Sequence, residues 1–427
     1  MKNKTTMRSD RTPACLPGSA AAGAVAVAAL LVVLGNAVSA DSAMAGPFES
    51  YFLYNGAFPD SEETSYSGEC SNNTQGITHD DNNWFFSMTE ELWKIPVQYD
   101  LRHVNDSSQY PGVIHVRMFD VPQLVQRGFY HIGAIYCYNA YGQNYIIAPI
   151  EARIPPQEAH AIVVFRADDL QYLCHTDLPG YRDLGWVAID PDGVLYVSHD
   201  SDSRLQRYYA DWDQLPAALP LTEMPPVDLV RQDGTPFNTG HAQGAVFSPS
   251  GSMFYFLSGI HDQHDPDEGI SAFIVDNYSL TWRCVKRSYQ GDDYQPFWYH
   301  FDPGSPDYEE PEGITIWDLD DGRAPGILGQ MHAVMLDNDS DCTWSWDDDD
   351  VTIYHYRNTI HANRLYAGTE ETGEPHKPFK TIAGANNLAW DGCRIAIQAG
   401  TYSETLVFTR RMEVSAIGGS VLMGDSP

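Results

Sequence analysis

Short apolar runs separated by turn-forming residues recur along most of the chain. Each unit opens with a polar residue, a glycine and an apolar run, and a second apolar run follows a turn such as Asp190-Pro191-Asp192-Gly193. The five openings are Gln75-Gly76-Ile77, His131-Ile132-Gly133, Asp183-Leu184-Gly185, Gln243-Gly244-Ala245 and Glu312-Gly313-Ile314. Runs of this length with turns between them predict β-strands joined as hairpins.

The spacing of these openings predicts a repeat fold. The five glycines follow one another at intervals of 57, 52, 59 and 69 residues, which suits small four-stranded sheets arranged radially as the blades of a β-propeller. A glycine is expected where the innermost strand of each blade meets the crowded central channel. We therefore predict an all-β protein with a propeller over residues 46–360. The alternatives are six blades, if residues 48–72 or 286–310 supply another sheet, and a β-sandwich.

The repeated pattern resembles a family of six-bladed propellers that contains gluconolactonase-like and NHL-repeat proteins. The likeness covers residues 50–357 and rests on the polar-Gly-apolar opening, the Asp/Gly turn and strands such as Val194-Leu195-Tyr196-Val197. In gluconolactonase-like enzymes the channel holds calcium, and Glu312 matches the family's glutamate in position and type. The other expected ligands are not recovered in this sequence, so the resemblance implies the fold more strongly than the activity.

A different pattern occupies residues 364–427. The stretch from Pro378 to Ile382, followed by Ile395–Tyr402 and then Met412–Ala416, resembles the start of a pectin-lyase-like right-handed parallel β-helix with a short capping helix. We expect an incomplete β-helix here, because solenoids generally need about three stacked repeats and this stretch offers fewer than two. The catalytic carboxylates of that family have no counterpart in the segment.

The first forty residues read as an export signal. Lys2, Lys4, Arg8 and Arg11 precede an uncharged apolar run, which ends at the small-residue sequence Val38-Ser39-Ala40. We expect a cleaved signal peptide over residues 1–40 and a secreted, periplasmic or cell-surface protein, with an uncleaved anchor over residues 20–38 as the alternative.

The net charge narrows the class of partner. The formal net charge of the chain is −33 at pH 7, which argues against nucleic acid or an anionic membrane surface as a partner, because both are polyanions. No integral membrane segment is expected beyond the N-terminal one.

Cysteines allow disulfides in an oxidising compartment. The chain has 7 cysteines, and six remain after the predicted cleavage, which permits fifteen pairings. Proximity in the repeat scheme favours Cys137 with Cys174 and Cys284 with Cys342.

The residues beside the five glycines are the first candidate site. Gln75, His131, Asp183, Gln243 and Glu312 are expected to surround one mouth of the channel, where converging polar groups are typical of a binding site. His131, His332 and Glu312 are candidates for acid–base chemistry. The opposing interpretation is that these groups only form hydrogen bonds that close a wet pore.

Two further clusters are candidates for metal binding. Asp337, Asp339 and Asp341 alternate as the first ligands of a calcium loop do, and with Glu312 they make calcium the possible cofactor. His261 and His264 could hold a transition metal. An exposed loop is the competing interpretation for both clusters.

Two functions follow. The first is an exported recognition protein that binds carbohydrate or a cell-surface partner at the propeller mouth or loops. The alternative is a calcium-dependent hydrolase or lactonase with its site in the channel. The absence of a recognisable catalytic constellation in the sequence favours the first, and Glu312 with the acid excess favours the second.

Overall fold

The computed structural model describes residues 55–57, 64–66, 74–104, 107–152, 160–180, 184–198, 203–239, 242–259, 269–287, 308–338 and 350–424. Two short strands come first, β1 (Asn55–Ala57) and β2 (Thr64–Tyr66). The first full sheet, blade 1, follows as β3 (Thr74–His79), β4 (Asn83–Met88), β5 (Glu91–Pro96) and β6 (Ile114–Arg117). Its strands pair antiparallel in chain order.

Blade 2 divides its innermost strand into two pieces. After helix α1 (Pro122–Arg127), it consists of β7 (Phe129–Ile132), β8 (Tyr136–Ala140), β9 (Gln143–Ala152), β10 (His160–Arg166) and β11 (Tyr172–Leu178). Both β7 and β8 pair with β9, so the interruption at Gly133 leaves the order of the sheet unchanged.

Blades 3 and 4 are joined into one continuous sheet. Blade 3 contains β12 (Val187–Ile189), β13 (Val194–Ser198), β14 (Arg204–Ala210) and β15 (Leu221–Val230). Blade 4 contains β16 (Ala242–Phe247), β17 (Met253–Ser258), β18 (Gly269–Ile274) and β19 (Thr281–Arg287). The outermost strands β15 and β19 pair in parallel.

Blade 5 takes its outer strand from the other end of the chain. It contains β20 (Tyr308–Ile316), β21 (Met331–Asn338) and β22 (Asp350–Arg357). Both β1 and β2 pair antiparallel with β22. The described part of residues 48–72 therefore completes the fifth blade and forms no sixth sheet, while residues 288–307 lie outside the described part of the chain.

The core lies between the blades. Five clusters of buried apolar residues each combine side chains from two neighbouring blades. In the cluster that joins blades 5 and 1, for example, Trp84 packs edge-on against Trp317 at 4.6 Å between ring centroids. Five cores in five interfaces are what a closed ring of five blades requires, because each sheet then buries both faces.

The five glycines meet around the axis of this ring. A Cβ atom on Gly76 would lie 2.5 Å from Ala134 Cα, one on Gly313 would lie 2.7 Å from Gly76 Cα, and one on Gly244 would lie 3.1 Å from Gly313 Cα. Between blades 2 and 3, Ala134 donates its N–H to Gly185 O at 2.7 Å. The innermost strands thus pass so closely that a side chain has no room, as the sequence predicts.

A small parallel sheet follows blade 5 directly. It contains β23 (Thr359–Ala362), β24 (Arg394–Tyr402) and β25 (Glu413–Met423), paired in parallel in chain order. Helix α2 (Ile382–Leu388) packs on it, with Ile382 and Ala385 in the shared core. The sheet already starts at Thr359, so no linker separates it from β22.

Hydrogen bonds fix the start of this helix. Thr381 caps helix α2 by accepting a hydrogen bond from Gly384 N at 3.0 Å. The Glu404 carboxylate accepts the N–H groups of Ile382 and Ala383 at 2.9 and 2.8 Å. The predicted helix is therefore present, anchored to the segment that follows β24.

The predicted Cys137–Cys174 disulfide is wrong. Both thiols are unpaired, because Cys137 lies on β8 and Cys174 on β11, with β9 and β10 between them. Strands are spaced about 4.8 Å apart, so this separation far exceeds the reach of a disulfide. In the second predicted pair, the Cys284 thiol donates to Lys286 O at 3.4 Å and Cys342 lies outside the described residues.

The predicted N-terminal signal also lies outside the described residues. Across the described ranges, no helix has the length and apolar character needed to cross a membrane.

Candidate functional site

The channel has a front mouth, where the innermost strands of the blades begin, and a rear mouth, where they finish. Gln75, Gln243 and Glu312 each directly precede a channel glycine, and His131 lies two residues before Gly133 in the first piece of its blade's innermost strand, which places all four at the front mouth. Glu312 is only 3% exposed, whereas Gln75, His131 and Gln243 are half-buried. Asp183 lies outside the described residues.

Hydrogen bonds join three of these side chains across three blades. The Gln75 amide nitrogen donates to Glu312 Oε1 at 3.4 Å. The Gln75 amide oxygen lies 2.7 Å from His131 Nε2. Because an amide oxygen only accepts, this contact requires the proton on His131 Nε2. Blades 5, 1 and 2 are therefore linked at the front mouth by the series Glu312–Gln75–His131.

A fourth residue, Glu151, lies beside the series. It is on β9 directly opposite His131 in the strand register, and its Oε2 atom is 3.4 Å from His131 Nδ1, which forms no hydrogen bond with a described residue. Tyr130 donates its hydroxyl hydrogen to Glu151 Oε2, and Leu184 donates its N–H to Oε1, both at 3.2 Å. We call Glu312, Gln75, His131 and Glu151 the mouth network.

Sequence reasoning missed Glu151 because it stands on the second strand of its blade, away from the glycine signal. The available signal was a carboxylate within the apolar run Ile146–Ala152. A charged side chain in such a run requires compensating partners, and here the Tyr130 hydroxyl and the Leu184 N–H provide them.

His332 lies in the core between blades 5 and 1, away from the mouth. It is fully buried; its Nε2 lies 2.9 Å from Trp317 O and its Nδ1 lies 2.9 Å from His355 Nδ1. Burial lowers the pKa of His332 to about 4 and holds the pKa of His355 well below its usual range. This location corrects the expectation that His332 acts as an acid or base at the mouth, because it has no route to a ligand there.

The calcium expectation gains no direct support from the described residues. Among them, no group of three or more His, Cys, Asp or Glu side chains is arranged to hold a metal ion. Asp337 pairs with Glu309 and Asp350 in the sheet of blade 5. Asp339 and Asp341 lie outside the described residues, as do His261 and His264.

The rear mouth contains a cavity of about 330 Å³ to which all five blades contribute, through Thr78, Tyr138, Asp190, Ser248 and Thr315 among others. Its buried carboxylate is already engaged in the fold. Asp190 accepts from Asp192 N, Val194 N and the Tyr196 hydroxyl at 3.0, 2.9 and 3.1 Å. Since these bonds hold the β12–β13 turn, the rear carboxylate has a structural role, and the front mouth is the better candidate site.

Comparisons with known proteins give only distant likenesses. No family model matches the chain, and no curated protein matches it. The chain is similar to the structure of a family-43, subfamily-1 glycoside hydrolase from Xanthomonas citri complexed with xylose, with 12% identity over 68% of this chain and 90% of that one and a TM-score of 0.38. It is also similar to the glutaminyl cyclase of Myxococcus xanthus, with 12% identity over 69% and 94% and a TM-score of 0.35.

A third similar structure is a functionally unknown protein from Desulfotomaculum acetoxidans, with 11% identity, coverage of 76% and 83%, and a TM-score of 0.33. None of these three structures is described as gluconolactonase-like or pectin-lyase-like. At these scores the likenesses carry no argument about activity, and the propeller assignment depends on the strand pairing and the inter-blade cores.

Proposed function

We propose that this protein binds a neutral, hydroxyl-rich ligand, such as a short saccharide, at the front mouth. The observation that carries the proposal is the mouth network, in which carboxylate, amide, imidazole and carboxylate follow one another across three blades. Sugar hydroxyl groups both donate and accept hydrogen bonds, so a row of alternating partners suits them. The net charge of −33 favours a neutral ligand over a polyanion.

The partial burial of the network supports binding. The side chains of His131 and Glu151 are 23% and 13% exposed. Groups at this depth are reached by a ligand in the mouth yet sheltered from bulk water, where a hydrogen bond contributes little net free energy. The network is also fixed in place, because each member stands on or beside an innermost strand or its direct sheet neighbour.

Isothermal titration of a panel of neutral trisaccharides tests this proposal. We expect saturable heat for at least one sugar, and an affinity about tenfold lower in the Gln75→Leu variant, because the change leaves Glu312 and His131 without their shared partner. Gln171→Leu is the matched control, since this glutamine lies exposed at the outer hairpin of blade 2. If no sugar binds, or if both variants weaken binding equally, the proposal is wrong.

A hydrolase is the second candidate, favoured by two carboxylates at one mouth. Glu151 and Glu312 terminate the mouth network on either side of Gln75 and His131, and paired carboxylates are the usual acid and base of glycoside hydrolysis. Release of nitrophenol from aryl glycosides, measured for the wild type and for Glu151→Gln, separates the candidates. Turnover abolished by this substitution would establish the enzyme, and binding without turnover would leave the recognition function.

Three finer assignments belong to this proposal. They are the relationship to gluconolactonase-like propellers with a calcium-dependent activity, the β-helix character of the C-terminal sheet, and export through residues 1–40. The parallel pairing of β23, β24 and β25 supports the second. Loss of turnover on chelation, restored by added calcium, would support the first.

A further inference from the structure

A group of aromatic side chains lies at the rear mouth, between blades 2 and 3. The innermost strands β8 and β12 finish at this mouth. Strand β14 finishes there too, because the third strand of an antiparallel blade runs in the same direction as the first. Four aromatic residues stand at or just beyond the ends of β8 and β14: Tyr138, Tyr141, Tyr209 and Trp212. We call them the rear aromatic patch.

The inner pair of the patch, Tyr138 and Trp212, is held firmly in place. The two ring centroids are 4.2 Å apart, with the planes tilted by 32°. Trp212 Nε1 donates to Gly193 O at 2.9 Å, and a Cβ atom on Gly193 would lie 2.7 Å from the Tyr138 hydroxyl oxygen. The β12–β13 turn of blade 3 therefore packs against both rings, which fixes the surface in the way that a preorganised binding site requires.

The outer pair of the patch is open to solvent. Tyr141 is 81% exposed and Tyr209 is 57% exposed. A hydrogen bond to the Asp213 carboxylate raises the pKa of Tyr141, and the charges of Tyr138 and Tyr209 add to this rise, so these groups all lie near the Tyr141 hydroxyl. Exposed aromatic rings gathered at one place on a surface are typical of a binding site.

Carboxylates give the patch a negative charge. Asp213 directly follows Trp212 in the chain, and Asp192 stands in the turn that packs against Tyr138. Burial raises the pKa of Tyr138, and the charges of Asp190 and Asp192 raise it further. The side chains of Asp192 and Asp213 are exposed, and neither forms an ion pair with another described residue. Aromatic faces and uncompensated negative charge thus occupy the same surface.

The rear cavity of about 330 Å³ opens beside this patch, because Tyr138, Asn139 and Pro191 belong to its lining. The described lining contains no lysine or arginine. Burial lowers the pKa of the lining histidine, His79, so this side chain is neutral at pH 7. A ligand whose charged end lies on the patch therefore has room for its remainder toward the channel, and it meets no opposing cation in this lining.

We propose that the rear aromatic patch binds an organic cation of the quaternary ammonium type. Aromatic faces attract cations through the ring quadrupole, and clustered rings suit methylated ammonium groups. Such a group has no N–H to satisfy, and its methyl groups pack on rings while the carboxylates balance its charge. A metal ion fits less well, since it needs several oxygen ligands at short distance. The site lies at the opposite mouth from the mouth network and does not depend on saccharide binding there.

Titration calorimetry with choline near neutral pH and at low ionic strength tests the site. We expect saturable binding at about millimolar choline. The comparison probe is the alcohol in which a tert-butyl group replaces the trimethylammonium group. It has the same shape without the charge, so we expect it to bind at least about tenfold more weakly. Absence of saturable heat with choline, or equal binding of the two probes, overturns the proposal. Competition between choline and a trisaccharide for one site would also overturn it, in favour of a saccharide site.

Three variants and one control identify the residues. Tyr141→Leu and Tyr209→Leu should each lower choline affinity about fivefold, because each removes an aromatic face. Asp213→Asn should weaken binding and make it less sensitive to added salt. Tyr278→Leu is the matched control, since this tyrosine is fully exposed at the β18–β19 turn of blade 4, and it should bind choline as the wild type does.

The exposed positions of Tyr141 and Tyr209 make loss of folding an unlikely cause of any change, and urea midpoints of the variants check this directly. Unchanged choline affinity in both variants, or a loss in Tyr278→Leu equal to theirs, would overturn the assignment. The saccharide titration of each variant should match the wild type, because the mouth network lies at the other end of the channel.

Discussion

The contact of the innermost strands at Gly133 makes a quantitative prediction. A Cβ atom there would lie 2.0 Å from Gly185 O and 2.6 Å from Gly185 C, which are backbone atoms of the next blade. Ordinary contact begins at 3.4 Å, so Gly133→Ala must displace that carbonyl by about 1.4 Å and break its hydrogen bond to Ala134 N. Overpacking costs about 1–3 kcal/mol and the broken buried hydrogen bond about the same, so we expect a destabilisation of roughly 2–6 kcal/mol.

Urea unfolding followed by tryptophan fluorescence measures this change. The control is Gly142→Ala at the β8–β9 turn, where a Cβ atom meets nothing within 4 Å and φ is +85°. The control should lose only about 1–2 kcal/mol, from the left-handed backbone conformation. If Gly133→Ala were no less stable than Gly142→Ala, blades 2 and 3 would not meet at this position.

Three further outcomes follow from the structure. His332 is neutral in the folded protein and titrates normally when unfolded. Its contribution to the free energy of unfolding is therefore fully present above pH 6.5 and falls as the pH drops toward 4, by up to about 3 kcal/mol. Urea midpoints measured at several pH values should depend less steeply on pH in His332→Gln than in the wild type. Alkylation of the unfolded, unreduced protein should label Cys137 and Cys174, whereas a peptide joining them would contradict the fold. Thr381→Ala should cost about 1 kcal/mol through loss of the α2 cap, with Thr381→Ser close to wild type by the same urea assay.

The positions of the innermost strands could be predicted because the need for glycine at close backbone contacts is visible in the local sequence. Glycine is needed where two backbones pass so closely that a Cβ atom has no room. Gly76 and Gly313, the first and last of the five repeated glycines, meet that requirement against each other. Trp84 and Trp186 fill the spaces between blades, where large flat side chains bury much apolar area.

The closure of the ring could not be predicted. The outer edge of blade 5 is formed by β1 and β2, residues 55–57 and 64–66, which pair with β22 nearly three hundred positions away. Short strands of this kind have no periodic signal, and only the unsatisfied edge of β22 specifies where they pair.

The roles of the titratable residues could not be predicted from the sequence either. His131 and His332 both stand in strands and look alike in sequence, yet one lies at the mouth and the other in a core. Burial depends on which blade packs against the strand, and the alternation of residues along a single strand does not contain that information.

A crystal structure of the protein with the best-binding trisaccharide from the panel tests the front-mouth site most directly. We expect electron density for the sugar at the front mouth, with its hydroxyl groups within hydrogen-bonding distance of Glu312 or His131. Sugar bound instead in the rear cavity beside Tyr138 and Asp190, with the mouth network unchanged and uncontacted, would show that the front mouth is not the binding site.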